Sequence, residues 1–101
     1  MRFARVKSVL AEQMRLGAIL CLQEVKVQRQ KLSSDPAAVG AHTSGWETFW
    51  ACNTTAKRGF NGVTTFVRKG LVTGANCEPL GDKALDGEGR ALLTNHGAFV
   101  V

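Results

Sequence analysis

Three stretches of the sequence combine residue types that could bind a metal ion or a phosphate group. Glu24 directly follows the apolar run 18–22, where a strand would end. Residues 57–62 place two cations and an aromatic ring between small residues, and residues 86–90 present an arginine after two glycines. A carboxylate suits Mg²⁺, which is often held by one or two carboxylates together with water and substrate phosphate. Cationic and aromatic side chains suit a nucleic-acid backbone and its bases.

Each stretch also has an ordinary structural interpretation. Glu24 would then be a solvated glutamate at a strand end, and residues 57–62 a hairpin loop with exposed cations. Glu88 and Arg90 would form an exposed ion pair, which contributes little to stability. Taken one at a time, the stretches leave both interpretations open.

The elements that must position these residues begin with an amphipathic helix. Phe3, Val6, Leu10 and Met14 recur at three- and four-residue steps, and Gly17 follows as a stop signal. The unbroken apolar run 18–22 then predicts a strand covered on both faces. In open α/β sheets ligands bind at the carboxyl ends of the strands, which is where Glu24 falls.

The rest of the chain predicts further strands joined by irregular segments. Residues 46–53 alternate as a strand, and the β-branched and aromatic residues of 62–68 predict a second one. A short helix or loop is expected in 25–45, a long loop in 70–89, and a hairpin formed by 90–94 and 98–101.

Length and composition limit the class of protein. The 101 residues suffice for one small domain, and 45% apolar with 21% charged residues is ordinary globular composition. The formal net charge of +5 suits a polyanionic partner. The scattered cysteines Cys21, Cys52 and Cys77 predict reduced thiols in an intracellular compartment. Both ends of the chain look cut, since an apolar strand seldom finishes a domain.

In order and spacing, the three stretches resemble the exonuclease III class of AP endonucleases, within the endonuclease/exonuclease/phosphatase superfamily. LCLQE is similar to the strand whose glutamate binds the catalytic Mg²⁺ in that family, and KRGFNGV to the K-x-G-[YF]-[SN]-G-V segment near the DNA backbone. LDGEGRALLT is similar to the D-x-E-G-R strand, most closely in its form in the second eukaryotic AP endonuclease. The resemblance covers residues 17–101.

The resemblance implies a site, a cofactor and a partner. Glu24 becomes the metal ligand, with Mg²⁺ as the cofactor and Mn²⁺ as the alternative. The partner is double-stranded DNA with abasic sites; neither a membrane nor an obligate protein partner is implied. The candidate DNA contacts are Lys57, Arg58, Phe60, Asn61 and Arg90. Phe60 stands where many members have tyrosine, and Val25 replaces the usual threonine after the metal ligand.

The family also has parts that this chain lacks, namely an asparagine-ended first strand, a catalytic tyrosine, a D-x-N pair and a final Asp-His. We therefore expect residues 1–101 to be a single incomplete domain of the α/β class, the N-terminal half of the family's four-layer α/β sandwich. Beyond the metal ligand, no catalytic residue is expected. The expected function is Mg-dependent hydrolysis of the phosphodiester 5′ to an abasic site in base excision repair, with the piece alone inactive.

Two alternatives to that interpretation stay open at the sequence level. The chain could belong to another phosphoesterase branch of the superfamily, such as a retroelement endonuclease, a deadenylase or a phosphoinositide phosphatase. It could also be a non-catalytic DNA-binding remnant. The expected compartment is the nucleus, with the mitochondrion as the alternative.

Overall fold

The computed structural model describes residues 17–55 and 59–101. These residues form a mixed domain of helices and strands whose two sheets are both antiparallel. The expected α/β class is confirmed at this coarse level. The helix predicted for residues 3–14 lies outside the described residues.

The main sheet has three strands in the order β1-β3-β2, which are Ile19–Gln23, Val63–Arg68 and Trp46–Ala51. Both outer strands run antiparallel to the central strand β3. The strands predicted at 46–53 and 62–68 are therefore confirmed, with slightly shorter bounds. The alternation predicted for 46–53 is confirmed as well, because paired residues share a face and Trp46, Thr48 and Trp50 lie opposite alternate residues of β3.

The prediction that the first strand is covered on both faces is wrong. In β1 the side chains of Cys21 and Gln23 are exposed, and the other three are only half-buried. The physical reason is that, within the described part of the chain, β1 pairs with one neighbour in an antiparallel sheet. Such sheets commonly cover one face, whereas a continuous apolar run is typical of the fully covered strands of parallel sheets.

One face of the main sheet packs against the segment that connects β1 to β2. This segment contains the helix α1 (Arg29–Ser34) and a 3₁₀ helix (Pro36–Val39), which confirms the short helix expected in 25–45. Its buried residues Val25, Val27 and Val39 form a cluster with the sheet residues Leu22 and Trp50. The connection therefore closes the apolar core that holds the end of β1 in place.

Aromatic packing and hydroxyl hydrogen bonds complete this face. Phe66 in β3 is fully buried, and its ring lies 6.0 Å from that of Trp50, a separation typical of favourable aromatic pairs. The Thr48 hydroxyl donates to the carbonyl of Ala41 at 2.8 Å and accepts from the Trp50 indole N–H at 3.0 Å. These bonds supply polar partners for groups that the core would otherwise leave without water.

The C-terminal third of the described chain forms a small second sheet. It consists of β4 (Gly74–Asn76) and β5 (Leu93–Asn95), with a single bridge from Asn95 to Val100. A hairpin is present close to the predicted position, but its turn lies slightly later than 95–97, because the His96 N–H donates to the carbonyl of Phe99. β5 also begins three residues later than expected, and 98–101 contributes a bridge and not a full strand. The long loop predicted for 70–89 contains β4 and a one-turn helix α2 (Lys83–Asp86).

Helix α2 begins at a side-chain cap. The Asp82 carboxylate accepts hydrogen bonds from the backbone N–H groups of Ala84 and Leu85 at 2.9 and 3.2 Å. Such caps satisfy N–H groups that have no partner within the helix. Within residues 17–55 and 59–101, no helix is long and apolar enough to cross a membrane.

Candidate functional site

One end of the main sheet brings together residues from all three candidate stretches. The backbone N–H groups of Val25 and Lys26 donate to the carbonyls of Gly62 and Asn61 at 3.1 and 2.8 Å. The N–H of Gly62 in turn donates to the carbonyl of Gly89 at 2.9 Å. We call this region, residues 24–26, 59–62 and 87–90, the convergent edge.

Side-chain and loop contacts strengthen the convergent edge. The Asn61 amide donates through Nδ2 to the carbonyl of Glu88 at 3.2 Å. The backbone N–H of Thr54, just after β2, donates to the carbonyl of Gly87 at 2.7 Å. Hydrogen bonds therefore hold together residues that are far apart in sequence.

The convergent edge differs from the carboxyl edge of a parallel sheet. Because the sheet is antiparallel, this end combines the last residues of β1 and β2 with the first residue of β3. The expectation that Glu24 follows a strand is confirmed, since β1 ends at Gln23. The expected setting among parallel strand ends is not found in the described sheet.

Three residues of the convergent edge have left-handed backbone conformations. Glu24, Lys26 and Asn61 have φ values of 53°, 56° and 57°, and they are the positive-φ residues other than glycine in the part of the chain that is described. For most L-residues this conformation costs about 1–2 kcal/mol, less for asparagine. Such conformations persist only where the surroundings fix them, and they cluster at functional sites.

Glu24 fits the role of one ligand in a magnesium site. Its side chain is exposed at the end of β1, and a carboxylate oxygen is the donor that a hard cation prefers. Among residues 17–55 and 59–101, no group of three or more His, Cys, Asp or Glu side chains could enclose a metal ion.

The candidate DNA contacts in the second stretch are only partly described. Phe60 is 60% exposed, so its ring is accessible to a sugar or a base. Asn61 is half-buried and its amide already bonds Glu88, which gives it a structural role in the edge. Lys57 and Arg58 lie outside the described residues.

Arg90 is exposed at the convergent edge but does not begin a strand, so that expectation is wrong. Strand β5 starts at Leu93, and residues 90–92 have no regular structure. The Arg90 guanidinium Nε lies 3.5 Å from Glu88 Oε1, and the two side chains are 60% and 38% exposed, respectively. The ordinary interpretation of an exposed ion pair therefore describes the geometry, and such a weak pair leaves the guanidinium available to a phosphate.

Asn53 lies beneath the convergent edge, and its role is not evident from the sequence. Asn53 is buried, and its Oδ1 accepts from the backbone N–H and the hydroxyl of Thr55 at 2.9 and 2.6 Å. A Cβ placed on Gly89 would lie 2.6 Å from the backbone nitrogen of Asn53, because Gly89 packs directly on this segment. A short polar residue just after a strand was the available signal, but it is common in turns.

Asp86 is the second residue whose role the sequence did not reveal. It is buried, and its two carboxylate oxygens accept from the backbone N–H groups of Leu80 and Asp82 at 3.2 and 3.3 Å. The first residue of the D-x-E-G-R stretch therefore fixes the loop that leads to Gly87 and Gly89. Its carboxylate is occupied in the fold and does not face the convergent edge as a free ligand.

Comparison of the chain with models of known protein families and with curated protein sequences gives no match. The resemblance to the AP endonuclease family thus rests on the three motifs themselves.

Proposed function

We propose that this chain carries the metal-holding and DNA-facing part of a class II AP endonuclease. In this proposal the described sheet belongs to the N-terminal half of a four-layer endonuclease/exonuclease/phosphatase sandwich. The complete enzyme would hydrolyse the phosphodiester 5′ to an abasic site with Mg²⁺, or Mn²⁺ as the alternative. Nuclear DNA repair, with the mitochondrion as the other setting, would be its role.

The single observation that carries the proposal is the convergence of the three motifs. The chain separates Glu24 from Asn61 and Arg90 by many residues, yet backbone hydrogen bonds link their segments at one sheet end. A carboxylate, an exposed aromatic ring and a guanidinium then lie around the same edge. This set of groups suits a phosphodiester with a bound cation.

The residues of this chain would share the work as follows. Glu24 would hold the cation, which when bound polarises the phosphate and offsets the charge that develops during hydrolysis. Arg90 would contact a neighbouring phosphate, and Phe60 would lie against the sugar or base. The aspartate and asparagine that orient the attacking water in the family have no D-x-N counterpart in this sequence. The sequence also contains no tyrosine to match the family's catalytic one.

Affinity for abasic DNA tests the proposal. The affinities of the chain for an abasic-analogue duplex and for the intact duplex are measured with Mg²⁺ and with chelator. We expect tighter binding of the abasic duplex that depends on Mg²⁺ and is lost in Glu24→Gln. Glu78→Gln, which removes an exposed carboxylate from the loop after β4, is the matched control and should bind normally.

Equal affinity for both duplexes, or a loss in Glu78→Gln as large as in Glu24→Gln, would refute the proposed site. Selective binding of inositol phosphates over abasic DNA would favour another branch of the superfamily.

We expect no Mg²⁺-dependent nicking of abasic DNA by the chain alone. Removal of one preorganised donor can already lower a rate by about a hundred- to a thousandfold, and several family groups have no counterpart in this chain. Incision by the purified chain that Glu24→Gln abolishes would show that this expectation is wrong.

A further inference from the structure

Two cysteines that are 25 positions apart in sequence lie around the same cavities. Cys52 follows β2 and Cys77 follows β4. Both line a cavity of about 350 Å³, and both also line a neighbouring one of about 480 Å³. Arg29 of helix α1 lines the same two cavities. The fold therefore places two thiols and a guanidinium around a shared, solvent-connected space.

The two thiols differ in exposure. Cys52 is buried, whereas Cys77 is half-buried in the irregular segment between β4 and α2. All three cysteines of the chain are free, and the third, Cys21, is exposed in β1. Cys77 is accordingly the member of the pair that a small oxidant reaches first.

The electrostatics of the cavity support the closeness of the pair. Burial raises the pKa of the Cys52 thiol, the positive charge of Arg29 lowers it, and the neighbouring Cys77 raises it. These charges act on Cys52 across the cavity that it shares with Arg29 and Cys77. The Arg29 guanidinium therefore offsets only part of the effect of burial on the Cys52 thiolate, which is the form that attacks sulfur in disulfide chemistry.

We propose that Cys52 and Cys77 form a redox-modification site, in which hydrogen peroxide converts the two thiols into a reversible disulfide. This inference is independent of the proposed nuclease function. Neither thiol belongs to the convergent edge.

The reaction balances in two steps. The Cys77 thiolate attacks one oxygen of hydrogen peroxide, the O–O bond breaks, and sulfenic acid and hydroxide form. The Cys52 thiolate then attacks the Cys77 sulfur, the S–O bond breaks, and the second hydroxide leaves. The two protons released by the thiols convert both hydroxides into water. Two thiols are oxidised and one peroxide is reduced.

The disulfide would fix the segment after β4 to the end of β2. Cys52 directly precedes Asn53, and a Cβ on Gly89 would lie 2.6 Å from the Cys52 carbonyl carbon. The bond would therefore restrain the backbone on which the convergent edge rests. Reduction of the bond by a dithiol would release it.

Peroxide oxidation followed by thiol counting and peptide mapping tests the site. Dilute, folded protein is treated with stoichiometric hydrogen peroxide, and free thiols are then alkylated. We expect the free thiols to fall from three to one per chain, with a Cys52–Cys77 linkage in the peptide map. Dithiothreitol should restore all three.

Serine variants supply the matched controls. Cys21→Ser should still form the linkage, whereas Cys77→Ser and Cys52→Ser should form no intramolecular disulfide. The same oxidation in concentrated urea should give a mixture in which Cys21 takes part, because the fold no longer selects the pair. Linkages to Cys21 in the folded chain, or the same mixture with and without urea, would overturn the proposal.

Discussion

At the scale of single residues, Gly89 determines how closely the third motif approaches the sheet. It adopts φ +69°, and an added Cβ would lie 2.6 Å from the Asn53 backbone nitrogen and from the Cys52 carbonyl carbon. Both atoms belong to the backbone, so neither can move aside at little cost. Glycine at this position is therefore required for steric reasons as well as for its backbone conformation.

We predict that Gly89→Ala destabilises the chain more than Gly97→Ala does. Gly97 also has a positive φ, +85°, but its added Cβ would meet no atom within 4 Å. The left-handed conformation should cost both variants about 1–2 kcal/mol. Overpacking should cost Gly89→Ala about a further 1–3 kcal/mol. Chemical denaturation measures the difference, and equal losses in the two variants would contradict the packing described at Asn53.

The Cys52 thiol should give stability a dependence on pH. Burial raises its pKa above the ordinary value of 9.0, so the folded chain retains the proton to higher pH than the unfolded chain does. The resulting stabilisation is fully present below pH 9.0 and is lost as pH rises through the pKa of the folded thiol.

Denaturation midpoints measured with reductant from pH 7 upward test this dependence. Cys52→Ala should show a shallower decline in alkaline solution, although loss of the sulfur lowers its stability at every pH. Cys21→Ala, which keeps the Cys52 thiol, should decline as the parent chain does. If the stability of Cys52→Ala fell with pH as steeply as that of the parent chain, the Cys52 thiol would not be the cause of the pH dependence.

At the scale of elements, the central strand β3 carries the packing that holds the sheet together. Phe66 is fully buried between β1 and β2, opposite Leu20 and Thr48, with the Trp50 ring 6.0 Å away. We predict that Phe66→Ala lowers the free energy of unfolding by about 3–5 kcal/mol. The free energy of unfolding of a complete domain is about 5–15 kcal/mol in total. The Phe66→Ala variant would therefore retain little stability.

Phe60→Ala is the matched control for Phe66→Ala, since it removes the same side chain from a position that is 60% exposed. It should change the stability by no more than about 0.5 kcal/mol. If Phe60 contacts DNA, the same variant should weaken binding of the abasic duplex. A large loss of stability in Phe60→Ala would show that the ring packs in the core.

The elements that the sequence predicted are those with a strong local pattern. β2 has an alternating pattern, and β3 is rich in β-branched residues. In both strands the preference of the residues for β-structure agrees with the burial that the sheet gives them. The prediction from the run 18–22 was wrong because an apolar run indicates burial on two faces but does not specify which elements would cover those faces. Residues 86–90 contain a helix end and two glycines, so the strand assigned there by resemblance starts only at Leu93.

At the scale of the whole molecule, the excess of thirteen lysines and arginines over eight acidic residues predicts salt-sensitive binding of DNA. Each phosphate contact releases counterions, so the affinity for duplex DNA should fall as salt rises, with a slope of about −0.9 per contact. If Lys57 makes one such contact, Lys57→Gln should reduce the slope by about 0.9.

Lys69→Gln is the control for Lys57→Gln. It removes the same charge just beyond β3, where the Lys69 backbone pairs with Gly45 at the end of the sheet opposite the convergent edge. Its salt slope should equal that of the parent chain. If Lys57→Gln and Lys69→Gln reduced the salt slope equally, net charge alone would drive the binding of DNA.

The composition of the candidate site could be predicted from the sequence, but its assembly could not. The residue types of the three motifs indicate metal and phosphate chemistry without any structure. Their convergence depends on backbone hydrogen bonds between Lys26, Asn61, Gly62 and Gly89, and no local pattern encodes such pairings. The supporting roles of Asn53 and Asp86 depend on the same long-range geometry.

The most direct test of the central claim is to map the DNA-binding surface by amide NMR shifts. An abasic-analogue duplex is added to the labelled chain with Mg²⁺ present. We expect the largest shifts on residues 24–26, 59–62 and 87–90, and we expect Glu24→Gln to remove those near residue 24. Shifts concentrated at Gly45, Trp46 and Lys69, at the opposite end of the sheet, would contradict the convergent edge as the binding site.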